Sequence, residues 1–411
     1  MTHNPAQDLQ DYLIFGEYGG VNPSVTDSAT YTFLDPDTMA ELFEHEMEGC
    51  FLYSRHWNPT NKALADGLAI MERSEAAQVT ASGMAAISAT VMQLAGQGDE
   101  IVSGRTIYGG TYALFKHFLP RFGVQTKFVD IQDVTAVEAA ITPNTKLLYC
   151  ESISNPLLQV ADLPALSEIA HRHGIPLVVD NTFSPLIISP LDWGADIVVY
   201  SLTKFINGTN DTVAGAICAS KEFINQLVNV NSGSTMLLGP VLDSFRAASI
   251  LKNMHSLHIR MKQHSRNAQY LAERLQTLGL TVHYPGLLNH PQHDHMTRLM
   301  NEEFGYGGML ALDMKELSLA NELMVRMQEA KVGYLAVSLG FYKTLFSAPG
   351  SSTSSEIPEE EQARMGLSPG MVRMSVGLDD DIERTYQRIK RCLDDMGVLE
   401  MEELGIVNYE L

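Results

Sequence analysis

An α/β fold built on a mainly parallel sheet, followed by a smaller α+β unit and preceded by an extended arm, is what this sequence predicts. Three observations carry the prediction. Between about residues 61 and 255, short apolar runs of strand length alternate with stretches of helical spacing, the pattern of parallel strands covered by helices on both faces. From about residue 256 the alternation gives way to one long helical stretch, 257–279, and then to the strand-like segments VHYPGL, GMLALDM, VGYLAVSL and VRMSVGL with helices to one side. Residues 1–60 show few periodic elements and many turn residues, and are too thin to own a core. The expected division is therefore 1–60, 61–255 and 256–411.

The first segment carries the aromatic anchors Tyr31, Phe33, Phe43, Tyr53 and Trp57. A coreless segment rich in aromatics packs on something else, often another subunit. Tyr53 and Arg55 stand two residues apart, so on an extended segment their phenol and guanidinium point the same way and could clasp a phosphate. The same spacing also suits an ordinary surface pair.

In the second segment a helical stretch with Leu64, Leu68 and Met71 leads into VTASGMAAISATVMQLA, where Ser82 is a good N-cap for a helix over 84–94. With Gly83 and Met84 it opens a helix N-terminus whose bare N–H groups suit an anion. DEIVSG, QTKFVD, TKLLYCES and PLVVDN read as strands; YALFKHFLPRFG, AVEAAI and LPALSEIAHRHG read as helices. Tyr108 follows the strand at 100–103, on a loop at a carboxyl strand end, where ligands collect in open α/β sheets.

The stretch ADIVVYSLTKFINGTNDTVAG, 195–215, organises the chain. Lys204 lies just past the apolar run 197–200, so its amine emerges at a buried strand end, and Ser201 and Thr203 add hydroxyls without adding charge. Desolvation lowers a lysine pKa and lets the amine act as a Schiff-base nucleophile. An isolated S-x-T-K would equally suit a strand-terminal lysine that snorkels to solvent. Two dozen residues upstream, IPLVVDNTFSP ends a strand on Asp180, and a carboxylate there can pair with a cationic ring nitrogen. Together the two features form a constellation for pyridoxal 5′-phosphate (PLP), whose ring serves as an electron sink.

In the third segment the lone Arg373 sits in the apolar strand VRMSVGL. A buried guanidinium needs a carboxylate, either that of a structural salt bridge or the α-carboxylate of an amino-acid substrate. Polar-faced helices are expected over 359–364 and 379–393, and 347–361 reads as a surface or site-rim loop. His290, His293 and His295 with Asp294 have the donor types of a metal site, but no second ligand cluster exists and no metal is expected.

A formal charge of −21 and a pI near 4.9 argue against binding nucleic acid, whose phosphates would be repelled. Cys50, Cys150, Cys218 and Cys392 lack C-x-x-C pairing and fit reduced thiols better than disulfides or zinc. Neither a basic-then-apolar leader nor an apolar run of bilayer-spanning length is visible, so a soluble, cytoplasmic protein is expected.

Nine ordered segments resemble one family: YSRHWNPT (53–60), SGMAAI (82–87), IYGGTY (107–112), ESISNP (151–156), DNTF (180–183), SLTKF (201–205), YPGL with HPQH (284–293), AVSLG (336–340) and VRMSVGL (372–378). The chain resembles the Cys/Met-metabolism family of PLP enzymes, fold type I, which includes cystathionine γ-synthase, cystathionine γ-lyase, methionine γ-lyase and O-acetylhomoserine sulfhydrylase. The resemblance implies a homotetramer, a dimer of dimers in which Tyr53 and Arg55 reach the cofactor phosphate of the neighbouring subunit. It implies a phosphate cradle of Ser82, Gly83, Met84, Ser201 and Thr203, with Lys204 covalently holding the cofactor and Asp180 at the ring nitrogen. Tyr108 would stack on the ring and act on the substrate, Asn155 would lie near the cofactor 3′-oxygen, and Glu151 would support the pocket. Arg373 and Ser338 would bind substrate.

Within the family, the reaction implied is α,γ-elimination of methionine or homocysteine. Val337, immediately before the serine of S-L-G, is apolar where enzymes that handle cystathionine tend to carry glutamate. Other positions depart from the methionine γ-lyase pattern: Gly110 replaces the cysteine of Y-G-C-T, Thr235 and Met236 replace a Lys-Asp pair, and Phe341, Tyr342 and Lys343 replace small or acidic residues. These departures keep cystathionine γ-lyase and the γ-replacement enzymes in view.

Overall fold

Apolar strand runs pair into a seven-stranded sheet in the computed structural model, which describes residues 4–399 apart from 45, 46, 48 and 353. Residues 1–3 and 400–411, parts of the first and third expected segments, lie outside the described residues. The strands are β1 (Ala76–Thr80), β2 (Glu100–Gly104), β3 (Gln125–Val129), β4 (Thr145–Glu151), β5 (Leu177–Asp180), β6 (Ile197–Ser201) and β7 (Gly215–Ala219), in the order β1-β7-β6-β5-β4-β2-β3. Only the two ladders of β7 are antiparallel. Leu177, Val178 and Val179 of β5 and Ile197, Val198 and Val199 of β6 are all buried. Burying each such side chain contributes about 1.5–3 kcal/mol, which is why these strands read as unbroken apolar runs rather than alternating ones.

Strand register places the polar strand ends side by side. Glu151 of β4 pairs with Asp180 of β5, and β5 in turn pairs with β6, which ends on Ser201. Two carboxylates and a hydroxyl thus share one edge of the sheet, beside the apolar runs of β5 and β6.

A second sheet takes the order β10-β11-β12-β9-β8, formed from β8 (Thr281–His283), β9 (Met309–Asp313), β10 (Gly333–Leu335), β11 (Thr344–Ser347) and β12 (Met371–Ser375). It is antiparallel except for the β10–β11 pair. The 20-residue helix Leu257–Gln276 links the two cores. Leu257 and Met261 pack with the core of the first sheet, while Ala268, Leu271 and Leu275 pack with that of the second. Their spacing of three, four and seven residues keeps them on one face, with the buried polar His264, Ser265 and Asn267 between the two apolar ends.

The sequence expectations of local structure need three corrections. The helix expected over 112–123 is broken into Gly109–Ala113, a π turn Leu114–Phe118 and a 3-10 turn Leu119–Phe122, because Pro120 has no N–H to donate. The strand expected in VGYLAVSL stops at Leu335, freeing 336–339 as a loop over the site. The N-terminal segment contains helices Pro5–Asp11 and Pro36–Glu44, the first capped by the Asn4 carboxamide on the N–H groups of Ala6 and Gln7. Among the described residues no helix is long and apolar enough to cross a membrane.

Candidate active site

The carboxyl ends of β4, β5 and β6 open into a cleft of about 260 Å³ lined by Ser82, Tyr108, Asp180, Lys204, Val337 and Arg373 among others. Residues far apart in the chain meet there because parallel strands all present the same end to one edge. Most of the residues expected at the site line it, while Tyr53, Arg55 and Ser338 are not among its lining residues.

Ser82 caps the helix Gly83–Leu94, its hydroxyl accepting from the Ala85 N–H at 3.0 Å. The N–H groups of Gly83 and Met84 precede the first intrahelical bond and have no partner within the helix. A Cβ at Gly83 would lie 2.7 Å from that of Ser201, so glycine is what lets this helix end seat directly on β6. The Thr203 hydroxyl turns partly away, accepting from the Ala214 N–H at 3.0 Å and donating to the Ala214 carbonyl at 3.3 Å. At this corner of the cleft lie two backbone N–H groups and the hydroxyls of Ser82 and Ser201, with the Thr203 hydroxyl turned toward Ala214, a cradle of a kind that suits an anion.

Lys204 stands half-buried beside this cradle. Its pKa is lowered to about 8, first by burial and then by the neighbouring Arg373 guanidinium. Its Nζ donates to the Ser338 hydroxyl at 3.3 Å. Asp180 opens onto the same cleft and makes no ion pair among the described residues. Its Oδ1 accepts from the Thr182 N–H at 2.9 Å, while burial raises its carboxyl above the usual range. A cationic partner at the open side of this carboxylate would relieve that penalty.

Arg373 is only 3% exposed and lies within the second sheet, yet faces the first. Its Nη1 donates to the Asn155 carboxamide oxygen at 2.9 Å, so the alternative of a structural salt bridge is not met among the described residues. No carboxylate reaches ion-pair distance of it among the described residues, and burial pushes its pKa down to about 10. A buried fork with one N–H committed to a neutral partner is fit to take a carboxylate from the cleft. Its surroundings are held by Glu151, whose two oxygens accept the Tyr108 N–H and the Asn155 N–H, each at 2.7 Å. Burial and the adjacent Asp180 drive the Glu151 carboxyl well above its ordinary pKa. This buried carboxyl thereby ties the Tyr108 loop to the Asn155 loop, a stronger tie than the sequence suggested.

Tyr108 is part exposed above the cleft, its phenol pKa raised by burial and by Glu356. A Cβ at Gly110 would come within 2.5 Å of the Tyr108 ring. The ring thus occupies space that the cysteine of Y-G-C-T would claim. Val337, 63% exposed, lines the cleft opposite.

Tyr53 and Arg55 do not line their own chain's cleft. Arg55 lies 5.8 Å from the Tyr53 ring centroid and donates to the Met236 carbonyl at 2.7 Å, so the departure at 235–236 adjoins it. The histidines of 290–295 are engaged separately: His290 accepts from the Gln292 N–H, and His293 and His295 contact the carbonyls of Pro285 and Ala161. The sequence reading missed two residues. Thr182, which lies inside the DNTF segment but was not singled out, accepts from the Ser201 N–H, while Asn210 accepts from the Ser338 hydroxyl across 128 residues.

The cleft fits PLP: it joins a helix N-terminus for a phosphate, a desolvated amine for an aldehyde, and an unpaired carboxylate for a ring cation. The comparisons agree. The model of the Cys/Met metabolism PLP-dependent enzyme family matches residues 14–390. A methionine gamma-lyase of Arabidopsis thaliana is 46% identical over 92% of this chain and 87% of that protein. An O-succinylhomoserine sulfhydrylase of Pseudomonas aeruginosa is 36% identical over 89% of this chain and 88% of its own length. A Campylobacter jejuni structure, provisionally described as O-acetylhomoserine (thiol)-lyase and carrying a pyridoxyl-lysine monophosphate, superposes with TM-score 0.89 at 28% identity, covering 95% of this chain and 100% of that one. This chain belongs to the Cys/Met metabolism PLP-dependent enzyme family.

Proposed function

We propose that the protein catalyses α,γ-elimination of methionine and homocysteine, releasing a thiol, 2-oxobutanoate and ammonia. The observation that carries this reading is the apolar Val337 in the lining of the cleft that also holds Tyr108 and Lys204, at a position where a carboxylate would otherwise pair with a second amino group. The 46% identity to a methionine gamma-lyase supports it.

Bound PLP supplies an electron sink for the charge left when the substrate α-proton departs. Arg373 takes the substrate α-carboxylate as a bidentate partner, with Ser338 beside it, and so fixes which face of the α-carbon meets Lys204. Lys204 holds the cofactor at rest. Once the substrate amine displaces it, its Nζ takes the α-proton, and a pKa near 8 leaves a usable neutral fraction at neutral pH. The same Nζ then moves protons at the β-carbon. Tyr108 gives its phenolic proton to the departing sulfur, while Asp180 keeps a proton on the ring nitrogen. Ser82, Gly83, Met84, Ser201 and Thr203 anchor the phosphate, and Asn155 orients Arg373.

Incubation with methionine, homocysteine, cystathionine, cysteine and O-acetylhomoserine plus sulfide, scored for 2-oxo acid and thiol, tests the reading. Methionine and homocysteine should give the higher kcat/KM. The distal ammonium of cystathionine meets the apolar, largely exposed Val337 in place of a carboxylate, and a charge pair at so exposed a position is worth about 1 kcal/mol, or roughly fivefold in discrimination. Val337→Glu should narrow or reverse that preference. Cleavage or synthesis of cystathionine far better than methionine cleavage would overturn the assignment, and thioether formation from O-acetylhomoserine and sulfide as the main activity would favour γ-replacement.

The arm of residues 1–60 is proposed to embrace a neighbouring subunit in a dimer of dimers, because Tyr53 and Arg55 stay outside their own cleft, although residues 53–57 form a turn rather than the extended segment expected. Mixed dimers of Arg55→Ala and Lys204→Ala subunits should then recover partial activity, one of their two sites being wholly native. Verified hybrids without recovery would return Arg55 to its own chain.

A further inference from the structure

Asn210 accepts a hydrogen bond from the hydroxyl that Lys204 contacts. The Lys204 Nζ lies 3.3 Å from the Ser338 hydroxyl, and that hydroxyl donates to the Asn210 carboxamide oxygen at 2.9 Å. A hydroxyl has one proton to give. With that proton committed to Asn210, Ser338 can only accept from Lys204 and cannot donate into the lone pair of a neutral amine. An acceptor fixed in this way favours the ammonium form. We propose that Asn210 is a positioning residue, polarising Ser338 so that it holds the Lys204 Nζ with its proton until the cofactor aldehyde is met.

The local backbone fits this role. Asn210 has φ 53°, in the left-handed region that asparagine tolerates better than most residues, and this conformation lies in the turn just beyond Lys204. The neighbouring Asp211 carboxylate is occupied by the Asn207 amide and the Thr209 hydroxyl. The other charged or titratable groups on the cleft come from separate elements: Arg373 of β12, Glu151 of β4, Asp180 of β5 and Tyr108 beyond β2. Of these, Arg373 acts with burial against the Lys204 ammonium. Ser338, oriented by Asn210, works in the opposite direction.

This inference rests on Lys204 being the residue that captures PLP, a step in which a neutral amine adds to the aldehyde and water leaves. The test follows capture by full-length apoprotein through the appearance of visible absorbance, at about pH 6.5, below the Lys204 midpoint. Asn210→Gly preserves the left-handed turn and removes the acceptor. The lost hydrogen bond should lower the midpoint by about half a unit to one unit, so capture should run about three- to tenfold faster than in the unaltered protein. Asn210→Asp should slow it, since a charged acceptor strengthens the polarisation. In a Ser338→Ala background, Asn210→Gly should make no further difference. Equal rates for Asn210→Gly and the unaltered protein, an accelerated Asn210→Asp, or an effect that survives without Ser338 would each overturn the proposal. An unaltered protein that captures no PLP would instead sink the reading of Lys204 on which it rests.

Discussion

Replacing Lys204 with alanine is expected to lower kcat for methionine by at least about a thousandfold, the upper part of the range for a lost acid–base group. The same side chain is proposed to perform capture and two proton movements, so its loss removes functions that no neighbour can replace. The nearest candidates are unsuited: Tyr108 has its phenol pKa raised, Arg373 stays charged, and Glu151 is already tied to two backbone N–H groups. The fold should survive, because Lys204 lies at an open cleft and its side chain makes only the contact to Ser338 among those resolved at hydrogen-bond distance. Borohydride treatment of the cofactor-loaded protein should label the Lys204 peptide and leave the alanine variant unlabelled. Retention of more than a tenth of the activity, or a label on another lysine, would remove Lys204 from its proposed role.

Arg373→Ala should cost about a hundredfold or more in kcat/KM for methionine, carried mainly by KM. Truncating one member of a buried, hydrogen-bonded charge pair typically costs about 2–5 kcal/mol, and here the orphaned member would be the substrate carboxylate. Lysine should rescue little, because a point charge on a flexible stem cannot reproduce the fork that bonds Asn155 and a carboxylate together. The structural alternative makes a different prediction. Were Arg373 only a core salt bridge, its removal would lower stability and leave KM unchanged, yet its hydrogen-bond partner among the described residues is the neutral Asn155. Steady-state kinetics with methionine, together with a thermal melt, separate the two outcomes.

Much of this site was legible in the chain because the chemistry is local. Lys204 beside Ser201 and Thr203, Asp180 at a strand end, and Ser82-Gly83 opening a helix are each defined within a few residues, where hydrophobic period and capping rules apply. The alternation of apolar runs and helical stretches determined the layered architecture for the same reason, since strands buried on both faces must be apolar throughout. Pro120 shows a local rule overlooked: the periodicity of 112–123 suggested a helix, while one missing N–H broke it.

Only the tertiary structure could decide which strand ends stand together, for that depends on sheet order and register rather than on any window of sequence. The pairing of Glu151 with Asp180, the meeting of Arg373 with Asn155 across two sheets, and the reach of Asn210 to Ser338 join residues separated by 29, 218 and 128 positions. By itself the sequence determined the residue types, the cofactor chemistry they suit and the fold that carries them. The three-dimensional structure decided which charges remain unpaired and which hydroxyl must accept, because hydrogen-bond satisfaction is settled by whichever atoms packing brings within about 3 Å of one another.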